Sequence, residues 1–419
     1  MVLMRQSWAR IGNPVIQNLR MAETKLSCFW HGPDLGRETR AAVSLHGHTN
    51  RSKESLQLIP QLARKGPMLY EALERQCRKS RIPVDFSRAY WTPPLTPKLA
   101  YETEKCQIEN ILGLRALVSL TDHDNIEAPT WLRTVPETAH TPISLEWSVP
   151  FAGTIFHLGV HNLPSDQAQT IVDDLAAYTR KPGDRRLCEL LAGLHRLPEV
   201  LVVFNHPLWT QSCVGVQRGS DDLDRFLRYV VRFLHAFEIN ATRSTRENNL
   251  VGELAERWRR PLVSGGDRHG CMANGVLNLT RAETFSDFVS EIRQEGCSHV
   301  LLMPQYAEPV GIRTTRTLLD VIRNYPEYPR GSRRWDDRIF HPDANGGPDR
   351  PISTLWKAPP AFVENILSCI RLLESALVQR AAVGIFRPRV VSEMPAEILT
   401  EVIPTEVVAT EAVSSEALS

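Results

Sequence analysis

Eight short β-branched or apolar runs lie between Ala41 and Met303, and seven of them end in, or carry, His, Asp or Glu near the C-terminal side. They read AAVSLHGH, RALVSLTDHD, TPISLEW, TIFHLGVH, VLVVFNHP, LHAFEINA, RPLVSGGDRH and SHVLLMP. Polar residues and then segments of helical period separate them, an alternation that predicts a β/α architecture. A barrel of about 250 residues fits within the 419 of the chain with room left over. Leu223, Phe226, Leu227, Val230, Val231 and Leu234 recur at helical spacing and predict one buried stripe. NLVGELAERWRRP and TFSDFVSEIRQEG read the same way, the second closing on a glycine suited to a helix C-terminus.

The link between the first two runs is long and divides at WTPPLTP, where closely spaced prolines exclude regular helix and strand. A helix is expected on each side, around MLYEALERQCRKS and KLAYETEKCQIENILGL. Beyond Pro304, YPRGSRRWDDRIFHPDANGGPDRP reads as irregular loop and PPAFVENILSCIRLLESALVQRAAVG as one long amphipathic helix. Arg330, Arg333, Arg334 and Arg338 with Trp335 form a basic cluster, read as a solvated loop because Asp336 and Asp337 dilute its charge. From Val391 glutamates recur without balancing bases, so a disordered or weakly helical acidic tail is expected. The expected organisation is a 1–40 extension, a 41–305 barrel domain carrying an insertion over about 55–105, an accessory 306–390 segment and a 391–419 tail.

A net charge of +1 and a pI near 7.7 give no global footprint for nucleic acid or an anionic membrane, so a phosphate-handling site has to be local. The eight cysteines are scattered without a C-x-x-C pair, against a zinc ribbon or a disulfide framework. The first twenty residues lack the apolar core of a signal peptide, and no stretch reaches 18 uninterrupted apolar residues. A soluble, cytoplasmic protein is the expectation, with Met1 or Met21 as its start.

His46-x-His48 points two imidazoles to one face of a strand end, by itself a moderate signal for metal. The other run ends add Asp122, His123 and Asp124, then Glu146, His157, His206, Glu238, Asp267 and His269. Imidazoles and carboxylates converging on the C-terminal mouth of a β/α barrel are what borderline or hard divalent metals require, and a set this large has room for two or three. His31, His140, His195, His235, His299 and His341 stray from the run ends and are read as non-functional, with His161 between the two classes.

In this order, SLHGHT, LTPKLAYETEKCQIENILGLRALVSLTDHD, LEW, FHLGV, NHP, EIN and GGDRHG resemble the PHP (polymerase and histidinol phosphatase) domain over about Ala41 to Met303. The resemblance implies a distorted barrel of about seven strands, of (β/α)7 type, here with a long insertion after the first strand and a C-terminal helical extension. It also implies two or three divalent ions such as zinc, manganese or iron, and phosphoester hydrolysis. Carried over position by position, the implied ligands are His46, His48, His123, Glu146, His157, His206, Asp267 and His269. Where the family has an acidic residue or histidine a few residues past HxH, this chain has Lys53, with Glu54 adjacent as the candidate ninth ligand.

The expected chemistry is metal-assisted attack of water on a phosphomonoester or phosphodiester, the substrate being a phosphorylated small molecule, nucleotide or oligonucleotide. Arg268, Arg243 and Lys53 are the candidate phosphate donors. Asp122 is expected to orient a ligand from behind or to shuttle a proton. One competing reading is an amidohydrolase-type enzyme, but no lysine lies at a central strand end and the last carboxylate comes as Asp267-x-His269. A non-catalytic metal-binding scaffold is the other.

Overall fold

In the computed structural model, which describes residues 23–32, 35, 38–56, 71, 75, 78, 85, 86, 88–209, 216–343, 347–356, 363–365 and 368, all eight runs form strands. The strands are β1 (Glu23–Cys28), β2 (Ala41–Ser44), β3 (Glu54–Ser55), β4 (Tyr90–Trp91), β5 (Arg115–Val118), β6 (Leu145–Phe151) and β7 (Thr154–His161), followed by β8 (Leu201–Asn205), β9 (Ala236–Asn240), β10 (Leu262–Gly265), β11 (Val276–Thr280), β12 (Cys297–Leu302), β13 (Ile339–His341) and β14 (Arg350–Pro351). Sheet order is β1-β12-β11-β2-β5 in one five-stranded sheet, β10-β9-β8-β7-β6 in a second and β14-β13-β4-β3 in a third. The inner strands β2, β8 and β9 are buried at every position, as strands covered on both faces must be.

Two bridges join the two large sheets. Gly47, just past β2, pairs in parallel with Arg268, just past β10; His123, past β5, pairs in parallel with Glu146 of β6. Both bridges lie among the candidate ligands.

The alternation is less regular than the sequence predicts. β6 and β7 are an antiparallel hairpin joined by Ala152-Gly153, whose φ values of 51° and 86° suit the left-handed two-residue turn that matches strand twist. β11 lies antiparallel to both β2 and β12, and with β1 it was not foreseen.

The helices follow their local signals. Thr96 caps Pro97–Gln107 by accepting from the Leu99 amide, with Pro97 where a missing N–H costs nothing. A π turn over Ile108–Leu112 extends it to Gly113, at φ 64°. The predicted stripe from Leu223 to Leu234 is buried on the helix Val216–Val230 and the turn after it.

The third sheet is a correction. WTPPLTP contributes Trp91 to β4, the segment 328–351 expected as loop forms strands β13 and β14, and a helix over Val310–Ile322, for which no element was expected, precedes it. Leu56 and Ala89 from the insertion pack with Trp335, Ile352, Leu355 and Trp356 from the later segment. Arg338 is buried and donates to the carbonyls of Ser332, Val321 and Arg323, so it takes no part in a basic surface. Among the described residues, no helix is long and apolar enough to cross a membrane. The acidic tail and residues 1–22 lie outside the described residues, as do most of the two predicted helices at MLYEALERQCRKS and PPAFVENILSCIRLLESALVQRAAVG.

Candidate metal centre

The strand ends do not simply run out; several turn sharply. His46, His206 and Asp267 hold φ values of 62°, 28° and 47°, in a region costing L residues about 1–3 kcal/mol each and typical of sites where function constrains the backbone. These three strained residues together make up one group able to hold a metal. The His46–Thr49 turn is fixed from behind by Asp122, fully buried, which accepts the Thr49 amide at 2.6 Å and the Thr49 hydroxyl at 2.7 Å. Asp122 thus acts on the turn and not on the ligand atoms.

Glu146 lies at the middle of the centre. Its Oε1 is 3.2 Å from His46 Nε2, 3.3 Å from His157 Nδ1 and 3.1 Å from His206 Nε2. Its Oε2 is 3.4 Å from both His48 Nε2 and His123 Nδ1. Asp267 Oδ1 is 3.7 Å from His46 Nε2 and His48 Nε2, and 3.4 Å from His269 Nδ1. Glu54 Oε2 is 3.3 Å from His123 Nε2 and 3.2 Å from His269 Nε2. The structure therefore brings Glu54 together with the eight residues matched to the family pattern. Their ligand atoms fall into four overlapping groups within 4.8 Å: His48, Glu54, His123 and His269; His46, His48 and Glu146; His46, His206 and Asp267; and His123, Glu146 and His157.

Proximity is not satisfaction. His46 Nε2, His48 Nε2, His123 Nδ1, His157 Nδ1 and Glu146 Oε2 are buried and have no hydrogen-bond partner, although they lie within ion-pair distance of one another. Five orphaned polar atoms facing one space are costly unless a cation completes them, and their chemistry suits a borderline divalent ion.

The residues behind them set orientation. Glu238 Oε1 lies 2.5 Å from His46 Nδ1, leaving Nε2 to face the centre, while its Oε2 accepts the His206 amide at 2.6 Å and the Asn240 amide group at 2.9 Å. Gly265 makes room for that carboxylate: a Cβ there would lie 1.5 Å from Glu238 Oε1. Ser52 donates to Glu54 Oε1 at 2.6 Å and accepts the His123 amide at 3.1 Å. Sequence reasoning noted Glu238 as a strand-end acid but gave it no role. Its position between Phe237 and Ile239, in a wholly buried strand, was the available signal.

The electrostatics are those of a crowded ion cluster. Burial alone would depress His46, but Glu146 and Glu238 hold it well above the ordinary imidazole value. Against burial, Glu54 and Glu146 likewise raise His123 to about 10. His157 is pushed down to about 4 and His48 also falls well below, chiefly through burial. Burial opposes ionisation of Glu54 and Glu146, yet the surrounding histidines hold both well below the usual carboxylate range.

The three predicted phosphate donors separate. Arg268 is buried and turned away: Nε donates to Glu104 at 2.8 Å, and the other nitrogens donate to the carbonyls of Gly270 and His48. Lys53 is 60% exposed and bonds Asp349 at 2.9 Å. Arg243 alone stays at the mouth, its Nη2 3.3 Å from Asp267 Oδ2 and its guanidinium 5.2 Å from the ring of Trp209. Trp209, which sequence reasoning missed, lies edge-on to His206 at 5.2 Å between ring centroids. His161 is buried on Ser119 at 2.8 Å and belongs to none of the four groups. His195 and His235 bond each other at 2.9 Å, away from the centre.

No protein-family model matches the chain, and no curated protein does either. Among solved structures it is similar to PsfC from Pseudomonas syringae, at 18% identity over 67% of this chain and 98% of that one, with a TM-score of 0.38. It is also similar to a candidate metal-dependent phosphoesterase from Bifidobacterium adolescentis, at 15% identity over 48% and 91% with a TM-score of 0.29. An amidohydrolase from Chromobacterium violaceum, with sulfate bound and no metal, is similar at 13% identity over 73% and 99%, with a TM-score of 0.33. Likeness at these scores is too loose to assign a fold.

Proposed function

We propose that this protein is a metal-dependent hydrolase acting on phosphomonoesters or phosphodiesters of small molecules, nucleotides or short oligonucleotides. The observation that carries the reading is the set of orphaned, buried nitrogen and oxygen atoms of His46, His48, His123, Glu146 and His157 facing one space. The two bridges between the large sheets support reading β2, β5, β6, β7, β8, β9 and β10 as one distorted seven-stranded barrel of PHP type, with the centre at its mouth.

His46, His206 and Asp267 would hold one divalent ion and His48, Glu54, His123 and His269 another, with Glu146 and His157 beside them available to a third. Bound zinc, manganese or iron would supply Lewis acidity and a water of lowered pKa. The chain's own residues do the rest. Glu238 fixes the tautomer of His46 through Nδ1. Arg243 donates to a phosphoryl oxygen, its guanidinium held over Trp209 so that little side-chain freedom is lost on binding. Arg268 and Lys53 leave the list of phosphate donors, because Glu104 and Asp349 occupy them.

The test is to purify the full chain, measure bound metal, and assay hydrolysis of a panel of phosphomonoesters, phosphodiesters and short oligonucleotides. Less than one equivalent under metal-replete conditions would sink the site. Full metal with no turnover on any ester would leave a binding scaffold in its place.

A further inference from the structure

Of the groups able to hold a metal, the one formed by His48, Glu54, His123 and His269 is built differently. The chain beside two of its members is held by carboxylates from the segment after Pro304, at Lys53 next to Glu54 and at Cys271 two residues past His269. On one side, Asp349 Oδ2 accepts from Lys53 Nζ at 2.9 Å and from Tyr90 Oη at 2.5 Å, and Lys53 Nζ lies 4.7 Å from the centre of the Tyr90 ring. Lys53 immediately precedes Glu54, and Glu54 pairs with Trp91 where β3 meets β4. β4 pairs in turn with β13, and β13 with β14, which starts one residue past Asp349. On the other side, Asp320 Oδ2 accepts the amide of Cys271 at 2.8 Å, two residues past His269. Gly270 passes so close that a Cβ would lie 2.6 Å from the same oxygen. The group His46, His206 and Asp267 and the group His123, Glu146 and His157 draw instead on strands of the two large sheets and their ends.

We propose that Asp349 and Asp320 are positioning residues for a single metal, the one held by His48, Glu54, His123 and His269, so that the segment after Pro304 sets the occupancy of that ion and of no other. The inference rests on the reading of the centre as multinuclear. Its physical basis is that a ligand's grip depends on what holds the ligand: partners behind the coordinating atoms are worth about 10–100-fold in affinity. Glu54 sits on a two-residue strand that no long ladder secures. Asp349 ties Lys53, just before that strand, to Tyr90 on its partner strand, and Asp320 fixes the loop carrying the opposing imidazole.

The experiment strips the full chain with a chelator and titrates it with zinc alone, reading stoichiometry by elemental analysis and each dissociation constant by competition with a chromophoric chelator. Asp349→Ala and Asp320→Ala should each weaken one site by about 10–100-fold and leave the others unchanged. Adding Asp349→Ala to Glu54→Gln should cause no further loss, because both act on the same ion. Tyr90→Phe, which removes one hydroxyl and no charge, should weaken the same site by less and covers the case in which an alanine variant does not fold. Unchanged constants at every site, or a uniform weakening of all of them, overturns the proposal. Wild-type chain that takes up no zinc overturns the multinuclear reading itself; wild type that fills every site beside variants that match it overturns only the role of the two aspartates.

Discussion

Arg268 shows what a single residue's sequence neighbours cannot reveal. Between Asp267 and His269 it looked like a phosphate donor, but adjacent positions at a strand end face different ways, and its guanidinium meets the buried Glu104 carboxylate. Glu104 also accepts from Ser44 and the Asn274 amide, so deleting the arginine leaves a buried acid short of its cation. Arg268→Ala should therefore cost about 3–5 kcal/mol of stability by urea unfolding. Arg243→Ala should cost about 1 kcal/mol or less, because that guanidinium is partly exposed, and should instead raise KM for a phosphate ester. Equal destabilisation by the two variants would contradict the division of roles. His161 offers a pH test at the same scale. Burial on Ser119 pushes it down to about 3, whereas the unfolded imidazole takes its proton near 6.5. The unfolded chain binds the extra proton between those values, so this contribution is present above about pH 6.5 and is lost as pH falls toward 3. His161→Gln should flatten that part of the acid limb of Tm against pH in metal-free protein, and an identical limb would remove His161 from the account.

At the scale of elements, legibility followed length and burial. The strands AAVS and LVVFN were readable as strands because continuous apolar runs bounded by polar ends leave few alternatives, and AFEIN was readable from the apolar residues flanking Glu238. β3, β4 and β14 are two residues each and carry no period at all, so the third sheet was invisible, and with it the support of Glu54. The β6–β7 hairpin was hidden for another reason: Ala152-Gly153 is not the Asn-Gly or Asp-Gly pair that announces such turns. β9 and β10 make a prediction of their own. They lie side by side with Val263 opposite Glu238, and Gly265 leaves the space that the Glu238 carboxylate fills. Gly265→Ala has a φ any residue adopts, so its effect is steric. The added methyl must expel the carboxylate from His46 Nδ1 and from the His206 amide. Metal affinity should fall by about 10–100-fold while the far-UV circular dichroism stays that of wild type. Unchanged affinity would mean that Glu238 does not orient His46.

For the whole molecule, the site is a convergence of residues from 46 to 269, and the fold holds them together at a cost that the apolar clusters behind both large sheets must offset. Three backbones are in left-handed strain, five polar atoms are unpartnered, and raised and lowered imidazoles stand side by side. None of these features favours the metal-free fold, and each is relieved or compensated by a bound cation. The pattern of strand ends made the convergence legible, because every proposed ligand except Glu54 sat in or at the edge of an apolar run. Its energetic consequence was not legible, because strain and orphaned atoms exist only in three dimensions. Ion binding to the folded chain alone stabilises it by about 4 kcal/mol at a free concentration a thousand times the dissociation constant. A domain of this size shifts by about 2–4 °C in Tm for each kcal/mol, so loading one site at that concentration should raise Tm by roughly 10 °C in scanning calorimetry. Glu146→Gln, which removes the charge shared by five imidazoles, should abolish most of that gain while leaving the metal-free protein folded. A chelator-treated protein with the same Tm as the metal-loaded one would show that the orphaned atoms are satisfied by something other than a cation.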